Sequence, residues 1–211
     1  MKKILLTGGC GFIGSHTWIS LLERGYSVTI FDSLINSNLE VINKIKILSK
    51  KNNLNHAENL DFKFGDLNDR IFLEKLFESS GGFDGVIHFA ALKAVGHSIN
   101  APIKYWENNV SGTINLLSVM KQFNCKTLIF SSSATIYGNK NNLLVNEKSI
   151  IDPINPYGST KVAIETLLKD IFNSEPKNWK IINLRYFNPI GAHESGLLGE
   201  RPNGLPTNIF P

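Results

Sequence analysis

The sequence has few cysteines and no long apolar run. Two cysteines, Cys10 and Cys125, occur in 211 residues, which is too few for the disulfide framework of a small secreted domain and favours a cytoplasmic location. No apolar run approaches the roughly 18 residues that a membrane-spanning helix requires, and the run after Met1 is too short for a signal peptide. A membrane partner is therefore not expected.

The sequence also lacks a large excess of charge of either sign. Its 22 basic and 18 acidic residues leave a net charge of +4 that is spread along the chain, so a nucleic-acid partner is not expected. Charged residues make up 19% of the chain and hydrophobic residues 42%, a balance typical of a globular protein rather than a disordered one. No metal site is predicted.

Short apolar segments alternate with longer amphipathic segments along most of the chain. The short segments are rich in Ile, Val, Leu and Phe, which is typical of strands buried on both faces. They predict strands at 3–7, 27–31, 60–64, 85–89, 127–131 and 181–184. The amphipathic segments predict helices at 13–24, 39–50, 71–78, 102–123 and 157–172. This alternation predicts an α/β fold with a doubly wound parallel sheet of the Rossmann type.

A glycine-rich segment lies between the first predicted strand and the first predicted helix. Gly9, Gly11 and Gly14 match the pattern G-x-G-x-x-G, and Gly8, Gly11 and Gly14 match G-x-x-G-x-x-G. Glycine permits a tight turn and a close approach of the backbone to a pyrophosphate, and the helix N-terminus supplies amide donors. A tight turn without a ligand is the simpler alternative, but the strand–loop–helix context favours dinucleotide binding.

Polar residues follow three further predicted strands. Asp32 lies 18 residues after Gly14, where a carboxylate accepts a hydrogen bond from a ribose 2′-hydroxyl and repels a 2′-phosphate, which favours NAD over NADP. Its alternative role is to cap a turn or helix. Asp66 would suit an adenine contact and Lys93 a phosphate contact, but a turn aspartate and a solvated lysine explain them equally well. The small residues 90–91 would let a dinucleotide pass close to the sheet.

Tyr157 and Lys161 are four residues apart at the start of the last predicted helix, so they share one helix face. A fixed ammonium lowers the pKa of a phenol, which would make Tyr157 a proton acceptor for hydride transfer from a sugar carbinol. Ser133 ends a serine-rich segment after the fifth strand, where a doubly wound fold places its site and a hydroxyl can bind a substrate oxygen. A surface tyrosine beside a solvated lysine, and serines that cap a turn, are the alternatives.

Together these motifs resemble the extended short-chain dehydrogenase/reductase superfamily and, within it, the UDP-glucose 4-epimerase family. The matching segments follow the family order along the whole chain; they are 7–16, 89–96, 108–113, 130–138, 157–161 and 185–193. The last two segments are specific to this branch. Dehydratase relatives carry an acidic pair after the site hydroxyl, whereas this chain has Ala134 and Thr135.

The resemblance implies a reversible C4 epimerisation of UDP-glucose and UDP-galactose in galactose metabolism, with tightly bound NAD. Tyr157 would accept the proton of the 4-hydroxyl, Ser133 would bind that oxygen, and Lys161 would lower the pKa of Tyr157 and hold the nicotinamide ribose. The implied NAD contacts are Gly8, Gly11, Phe12, Ile13, Gly14, Asp32, Asn36, Ser37, Asp66, Leu67, Phe89, Ala90, Ala91, Lys93, Asn108, Tyr157, Lys161 and Phe187. The implied UDP-sugar contacts are Ser133, Tyr157, Asn188 and Asn208.

The resemblance also predicts how the chain is organised. It implies an NAD-binding domain at 1–185 that carries the catalytic residues, and at 186–211 the start of a substrate-binding region that family members continue beyond Pro211. We therefore interpret the chain as an N-terminal part; the alternatives are a catalytically impaired NAD-binding fragment, or an epimerase or dehydratase of another nucleotide sugar. Helices 102–123 and 157–172 resemble those that pair in a family homodimer, although packing on a sheet requires the same amphipathic pattern.

Overall fold

The computed structural model describes residues 1–54, 60–139 and 144–201. The strands are β1 (Lys3–Thr7), β2 (Ser27–Asp32), β3 (Asp61–Phe64), β4 (Gly85–His88), β5 (Thr127–Ser133) and β6 (Lys180–Tyr186). The α-helices are α1 (Phe12–Glu23), α2 (Glu40–Lys51), α3 (Arg70–Ser79), α4 (Val95–Asn100), α5 (Pro102–Tyr105), α6 (Gly112–Gln122) and α7 (Pro156–Ser174). A π-helical turn, Trp106–Ser111, joins α5 to α6, and a 3₁₀ turn, Ala134–Tyr137, follows β5.

The strands form one sheet in the order β3-β2-β1-β4-β5-β6. The pairs β1–β2, β1–β4, β2–β3 and β5–β6 are all parallel. The chain adds β2 and β3 on one side of β1 and then returns to add β4 on the other side, which makes the sheet doubly wound. The predicted α/β fold of the Rossmann type is confirmed.

The predicted strands all form, but three details differ from the prediction. The predicted helix 102–123 is interrupted by the π-helical turn, and α4 was not predicted because six residues are too few to show a helical period. The predicted burial of β6 on both faces is wrong, since Ile182 is 54% exposed and Leu184 is 37% exposed. The strand lies at the end of the sheet order, where the described residues leave these side chains uncovered.

The chain divides into two compact units. The first unit contains Met1–Asp66, Phe77–Ala90 and the described part of Asn188–Pro211; the second contains Leu67–Leu76 and Ala91–Phe187. These units divide the chain differently from the functional domains that the sequence predicts at 1–185 and 186–211, and those domains remain a prediction.

The core of the first unit joins β1 and β2 to the helices α1 and α2. Leu6, Trp18, Ile30 and Ile45 belong to one cluster of buried side chains. Leu198, from the segment that follows β6, joins the same cluster. Burial of an aliphatic side chain stabilises a fold by about 1.5–3 kcal/mol, so this cluster holds β1 and β2 against α1 and α2.

In the second unit, helix α7 packs on β5 and begins at a well-defined residue. The Asn155 side chain accepts a hydrogen bond from the Gly158 backbone nitrogen at 2.8 Å, and Pro156 is the first helical residue. Ile164 and Leu168 of α7 are buried. The cap and the buried face together fix the rotation of the helix and thus the positions of its first side chains. None of the helices within the described ranges is long and apolar enough to cross a membrane.

Candidate functional site

The glycine loop makes a tight turn between β1 and α1. Gly8 has a φ of 71°, and its backbone nitrogen donates to the Phe31 carbonyl oxygen at 2.8 Å. A Cβ at Gly8 would lie 2.6 Å from the Ala90 backbone nitrogen, and a Cβ at Gly14 would lie 2.2 Å from the Gly8 carbonyl oxygen. Both positions therefore require glycine, because any side chain would force the backbone segments apart.

Helix α1 starts at the end of this turn with amides that can bind an anion. Its N-cap is Gly11, which offers no side-chain cap, and its first turn contains no acidic residue. The first amides of a helix lack partners within the helix and carry partial positive charge, so they suit a phosphate. Gly8, Gly11, Phe12, Ile13 and Gly14, which were predicted to bind the cofactor, are therefore neighbours in one turn.

Asp32 links the glycine loop to the loop after β2. Its carboxylate is buried; Oδ2 accepts a hydrogen bond from the Cys10 backbone nitrogen, and Oδ1 accepts from the Leu34 backbone nitrogen and from Ser37 Oγ, each at 2.9 Å. The turn-capping role that the sequence left open is therefore present. Each carboxylate oxygen has two lone pairs, so Oδ2 still has capacity for a ribose hydroxyl.

The thiol of Cys10 is buried inside the glycine loop. Its side chain is 3% exposed. Burial raises the pKa of the Cys10 thiol to about 12, and the nearby Asp32 carboxylate adds to the rise. A thiol that keeps its proton is a poor nucleophile, so this residue packs the loop rather than reacting.

Other predicted residues of the first unit also follow the carboxyl ends of strands. Asn36 lies in the exposed part of the loop after β2. Asp66 after β3, and Phe89 and Ala90 after β4, are partly buried. Asn188, predicted to contact the UDP-sugar, is exposed.

The second unit brings Ser133, Tyr157 and Lys161 together, where β5 ends and α7 begins. They are 8%, 9% and 2% exposed, respectively. Ser133 lies close enough to the Tyr157 phenol to lower the pKa of Tyr157 through a side-chain hydrogen bond, and Lys161 Nζ lies 5.7 Å from the centroid of the Tyr157 ring. Thr135 donates to Ser133 Oγ through its backbone nitrogen at 3.2 Å and its hydroxyl at 2.9 Å. Ser133 is thus held beside the phenol.

Lys161 is a buried ammonium. Its Nζ donates to the Ser131 carbonyl oxygen at 2.7 Å and lies 4.7 Å from the centroid of the Phe130 ring. Burial lowers the pKa of Lys161 to about 7, and the negative charge of Glu165 acts in the opposite direction. The ammonium is therefore close to its titration midpoint at neutral pH.

The pKa of Tyr157 moves in the direction opposite to the expected one. Burial raises the Tyr157 pKa, the hydrogen bond with Ser133 lowers it, and Tyr105 adds to the rise. Leu92 and Tyr105 pack against the Tyr157 ring in one buried cluster. The expected lowering by Lys161 is absent, because burial of the phenol is the largest effect on the Tyr157 pKa.

Sequence reasoning missed a buried polar network beside these three residues. Glu165 Oε1 accepts from Ser132 Oγ at 2.5 Å and from Arg185 Nε at 3.0 Å, and Glu165 Oε2 accepts from Arg185 Nη2 at 2.7 Å. Arg185 Nη1 also donates to the Tyr137 hydroxyl at 2.8 Å. The spacing could have indicated part of this network, because Glu165 follows Lys161 by one helical turn.

A second missed residue is Asn109, in the π-helical turn. Its Oδ1 accepts from the Leu92 backbone nitrogen at 2.8 Å, and its Nδ2 donates to the Leu92 carbonyl oxygen at 3.0 Å and to Thr160 Oγ1 at 3.2 Å. The neighbouring Asn108, which was predicted to contact NAD, is only partly buried. Asn109 thus ties the segment after β4 to the helix that carries Tyr157.

The remaining predicted residues of the second unit differ in exposure. Leu67 is buried, Ala91 is partly buried, Lys93 is exposed and Phe187 is 65% exposed. Asn208 lies outside the described residues. Across residues 1–54, 60–139 and 144–201, no group of three or more His, Cys, Asp or Glu side chains could hold a metal ion.

Comparisons with known proteins agree with this geometry. Residues 5–209 match the model of the family described as GDP-mannose 4,6 dehydratase. The chain is 49% identical over 210 residues to a bifunctional UDP-glucose 4-epimerase and UDP-xylose 4-epimerase from Pisum sativum, covering all of this chain and 59% of that protein. It is 46% identical over 212 residues to a UDP-glucose 4-epimerase from Neisseria meningitidis serogroup C, covering all of this chain and 60% of that protein.

Two solved structures share the fold closely. A UDP-glucose 4-epimerase from Stenotrophomonas maltophila, crystallised with NAD and formylated UDP-arabinopyranose, has a TM-score of 0.90 and 40% identity over 99% of this chain and 60% of that one. A UDP-glucose 4-epimerase from Bifidobacterium longum, in complex with NAD+ and UDP, has a TM-score of 0.89 and 44% identity over 98% of this chain and 59% of that one. The resemblance stated from the sequence is confirmed, and the chain spans about three fifths of the length of the relatives it matches.

Proposed function

The chain belongs to the family described as GDP-mannose 4,6 dehydratase, and from this premise we propose that it supplies the cofactor-binding and catalytic residues of a UDP-glucose 4-epimerase. The observation that carries the proposal is the buried group formed by Ser133, Tyr157 and Lys161. The reaction would be the reversible C4 epimerisation of UDP-glucose and UDP-galactose in the cytoplasm, as part of galactose metabolism. Its relatives named as 4-epimerases support this choice over a dehydratase.

The glycine loop and Asp32 fit NAD as the cofactor. The turn leaves no room for a Cβ at Gly8 or Gly14, which allows a pyrophosphate to approach the backbone and the first amides of α1. The Asp32 carboxylate suits a ribose 2′-hydroxyl and repels a 2′-phosphate. When held by the glycine loop and Asp32, NAD would supply the reversible hydride acceptor that epimerisation at C4 of the sugar requires. The other NAD contacts implied by the resemblance, Asn36, Ser37, Asp66, Leu67, Phe89, Ala90, Ala91, Lys93, Asn108 and Phe187, belong to the same proposal.

Three side chains of the second unit would manage the proton and the sugar oxygen. Tyr157 accepts the proton of the 4-hydroxyl and later returns it, and Ser133 donates a hydrogen bond to that oxygen. Lys161 holds the nicotinamide ribose and, while protonated, stabilises the phenolate. Since burial raises the pKa of Tyr157, the phenol would lose its proton only beside added positive charge. Asn188 and Asn208 would contact the UDP-sugar.

A direct experiment is to mix the purified chain with UDP-galactose and NAD and to look for UDP-glucose, with the bound nucleotide measured in the same sample. Formation of UDP-glucose that is lost in Tyr157→Phe, but kept in a Tyr26→Phe control, supports the proposal. Bound NAD without product selects the second candidate, an NAD-binding part that needs further chain for catalysis. Absence of both NAD and product overturns the proposed cofactor site.

The identity of the sugar is the other alternative. The Stenotrophomonas maltophila relative was crystallised with formylated UDP-arabinopyranose, so a different UDP-sugar is a second candidate substrate. Turnover of UDP-xylose or UDP-arabinopyranose in preference to UDP-galactose, with the same dependence on Tyr157, would select it.

We also propose that the chain forms a homodimer through α6 and α7. A groove between these helices is lined by the apolar side chains of Ile114, Leu117, Ile171 and Trp179, and Ile114 is 44% exposed. Light scattering is expected to give a dimer mass that becomes monomeric in Ile114→Glu. The matched control is Ile47→Glu, which alters an exposed isoleucine of α2 and should leave the dimer intact. A monomeric parent chain contradicts the proposal.

A further inference from the structure

Glu165 is a buried acid, and each of its carboxylate oxygens accepts a hydrogen bond. It is 8% exposed and accepts hydrogen bonds from Ser132 and, through both of its oxygens, from Arg185. A buried carboxylate is costly unless it is paired and hydrogen-bonded, and a two-pronged bond from arginine satisfies both requirements. The geometry therefore indicates a fixed element of the structure rather than a mobile surface ion pair.

This acid holds the strand that carries Ser133. Ser132 and Arg185 are register partners in the β5–β6 ladder, so the bonds of Glu165 join two strands to α7. The Ser131 carbonyl oxygen accepts from Lys161, one helical turn before Glu165. The two residues that precede Ser133 are thus each bonded to a different charged side chain of one helix. Any shift of α7 relative to the end of β5 would strain both bonds.

Arg185 extends the network beyond Ser133. Its Nη1 donates to the hydroxyl of Tyr137, in the 3₁₀ turn that follows Ser133. Ser133 therefore lies in the sequence between Ser132, which donates to Glu165, and Tyr137, which accepts from Arg185. Breaking the pair of Glu165 with Arg185 would leave a buried charge without its partner, which is costly in a folded interior.

We propose that Glu165 and Arg185 are positioning residues for the site: they hold Ser133 at the end of β5 and balance the buried ammonium of Lys161. A role of these two residues in catalysis rests on the proposed function. The test of the positioning itself does not require turnover, so it can succeed or fail separately from the proposed epimerase activity.

The charge of Glu165 acts on Lys161 against the effect of burial. The elements that pack against α7 also carry titratable or charged groups. The partly or fully buried ones are Tyr105, Tyr137, Arg185 and Tyr186; the exposed ones are His97, Lys104, Glu107 and Lys180. Arg185 contacts Glu165 directly and offsets part of its negative charge. Removal of Glu165 and removal of Arg185 should therefore change the protonation of Lys161 in opposite directions.

The experiment uses the full chain labelled with carbon-13 at the lysine ε-carbons, followed by NMR from pH 5 to pH 9. The Lys161 resonance is assigned by its loss in Lys161→Met. We expect Glu165→Gln to lower the Lys161 midpoint and Arg185→Gln to raise it, each by about half a pH unit or more, because each substitution removes one charge of the ion pair whose acid lies one helical turn from Lys161. Glu165→Asp and Arg185→Lys keep the charges and should leave the midpoint near that of the parent chain.

Shifts of the Lys161 midpoint in opposite directions distinguish a positioning and charge-balancing role from ordinary structural support. A purely structural pair would lower the melting temperature in both variants, with unchanged midpoints or midpoints that move the same way, and that result overturns the proposal. If Arg185→Gln does not fold, the comparison of Glu165→Gln with Glu165→Asp decides, since both alter the geometry and only one removes the charge. Equal midpoints in these two variants overturn the proposal as well.

Discussion

Lys161 should make the stability of the chain depend on pH. The side chain is 2% exposed, and burial lowers its pKa from the ordinary value of 10.5 to about 7. Between these values the unfolded chain binds a proton that the folded chain does not, so the free energy of unfolding rises with pH. The stabilisation that comes from the lowered pKa of Lys161 is complete above pH 10.5 and is lost as the pH falls through 7. Its full size is at most about 5 kcal/mol, since a pKa difference of one corresponds to about 1.4 kcal/mol.

The substitution Lys161→Met removes this titration and keeps an unbranched apolar side chain. The linkage relation predicts that the stability advantage of the variant over the parent decreases by about 3 kcal/mol between pH 6 and pH 9. Urea unfolding followed by circular dichroism at both pH values gives the free energies. The variant also loses the bond to the Ser131 carbonyl oxygen, but any part of that loss that is independent of pH cancels in the comparison.

The control for this experiment lies on the same helix. Lys169 is exposed on α7, and Lys169→Met should show no comparable change with pH. An advantage of Lys161→Met that is equal at pH 6 and pH 9, or that grows with pH, would refute the reasoning. Either result would mean that the ammonium of Lys161 is better solvated than its burial indicates.

Three further predictions concern residues of the first unit, and the first of them has its control in the second unit. Gly14→Ala would place a Cβ 2.2 Å from the Gly8 carbonyl oxygen and should abolish NAD binding, measured by isothermal titration calorimetry. Gly96→Ala in α4, where an added Cβ would lie more than 4 Å from every described atom outside its own helical turn, should instead stabilise the fold by about 0.5 kcal/mol. Cys10, whose pKa burial raises to about 12, should resist iodoacetamide at pH 8 until the chain is unfolded; rapid labelling of the folded chain would contradict this. Asp32→Ala should weaken NAD binding and raise the ratio of NADP affinity to NAD affinity in titrations. An unchanged ratio would contradict the proposed contact between Asp32 and the ribose.

The elements that the sequence predicted correctly have strong local signals. The strands β1 and β2 are short apolar runs bounded by turns, and the glycine loop stands between a strand and a helix, so periodicity and spacing were sufficient. The exposure of the β6 side chains could not be predicted from local sequence patterns. An apolar run shows that a strand can be buried, but exposure of Ile182 and Leu184 depends on where the strand lies in the sheet.

The same distinction explains the site. Tyr157 and Lys161 were predicted because a spacing of four residues places them on one helix face. The pairing of Glu165 with Arg185 was missed because it depends on the β5–β6 register, which no local pattern contains. The rise in the pKa of Tyr157 was missed for a related reason: spacing indicates that a cation is near, but the burial of both groups decides the balance.

The buried polar side chains of the second unit differ in how many of their donors and acceptors have a hydrogen-bond partner. Asn109 uses its amide oxygen and both amide hydrogens, and Glu165 receives three hydrogen bonds. An ammonium has three donors, whereas the bond that the described residues show for Lys161 is the one to the Ser131 carbonyl oxygen. Every polar side-chain atom of Asn109 and Glu165 thus has at least one partner. Lys161, to which we assign a ligand contact, has donors that the described residues leave unused. That distribution suits a binding site, because ligand hydroxyls can supply the missing acceptors. The gain in stability that we expect from Lys161→Met is the cost that such a site retains for its function.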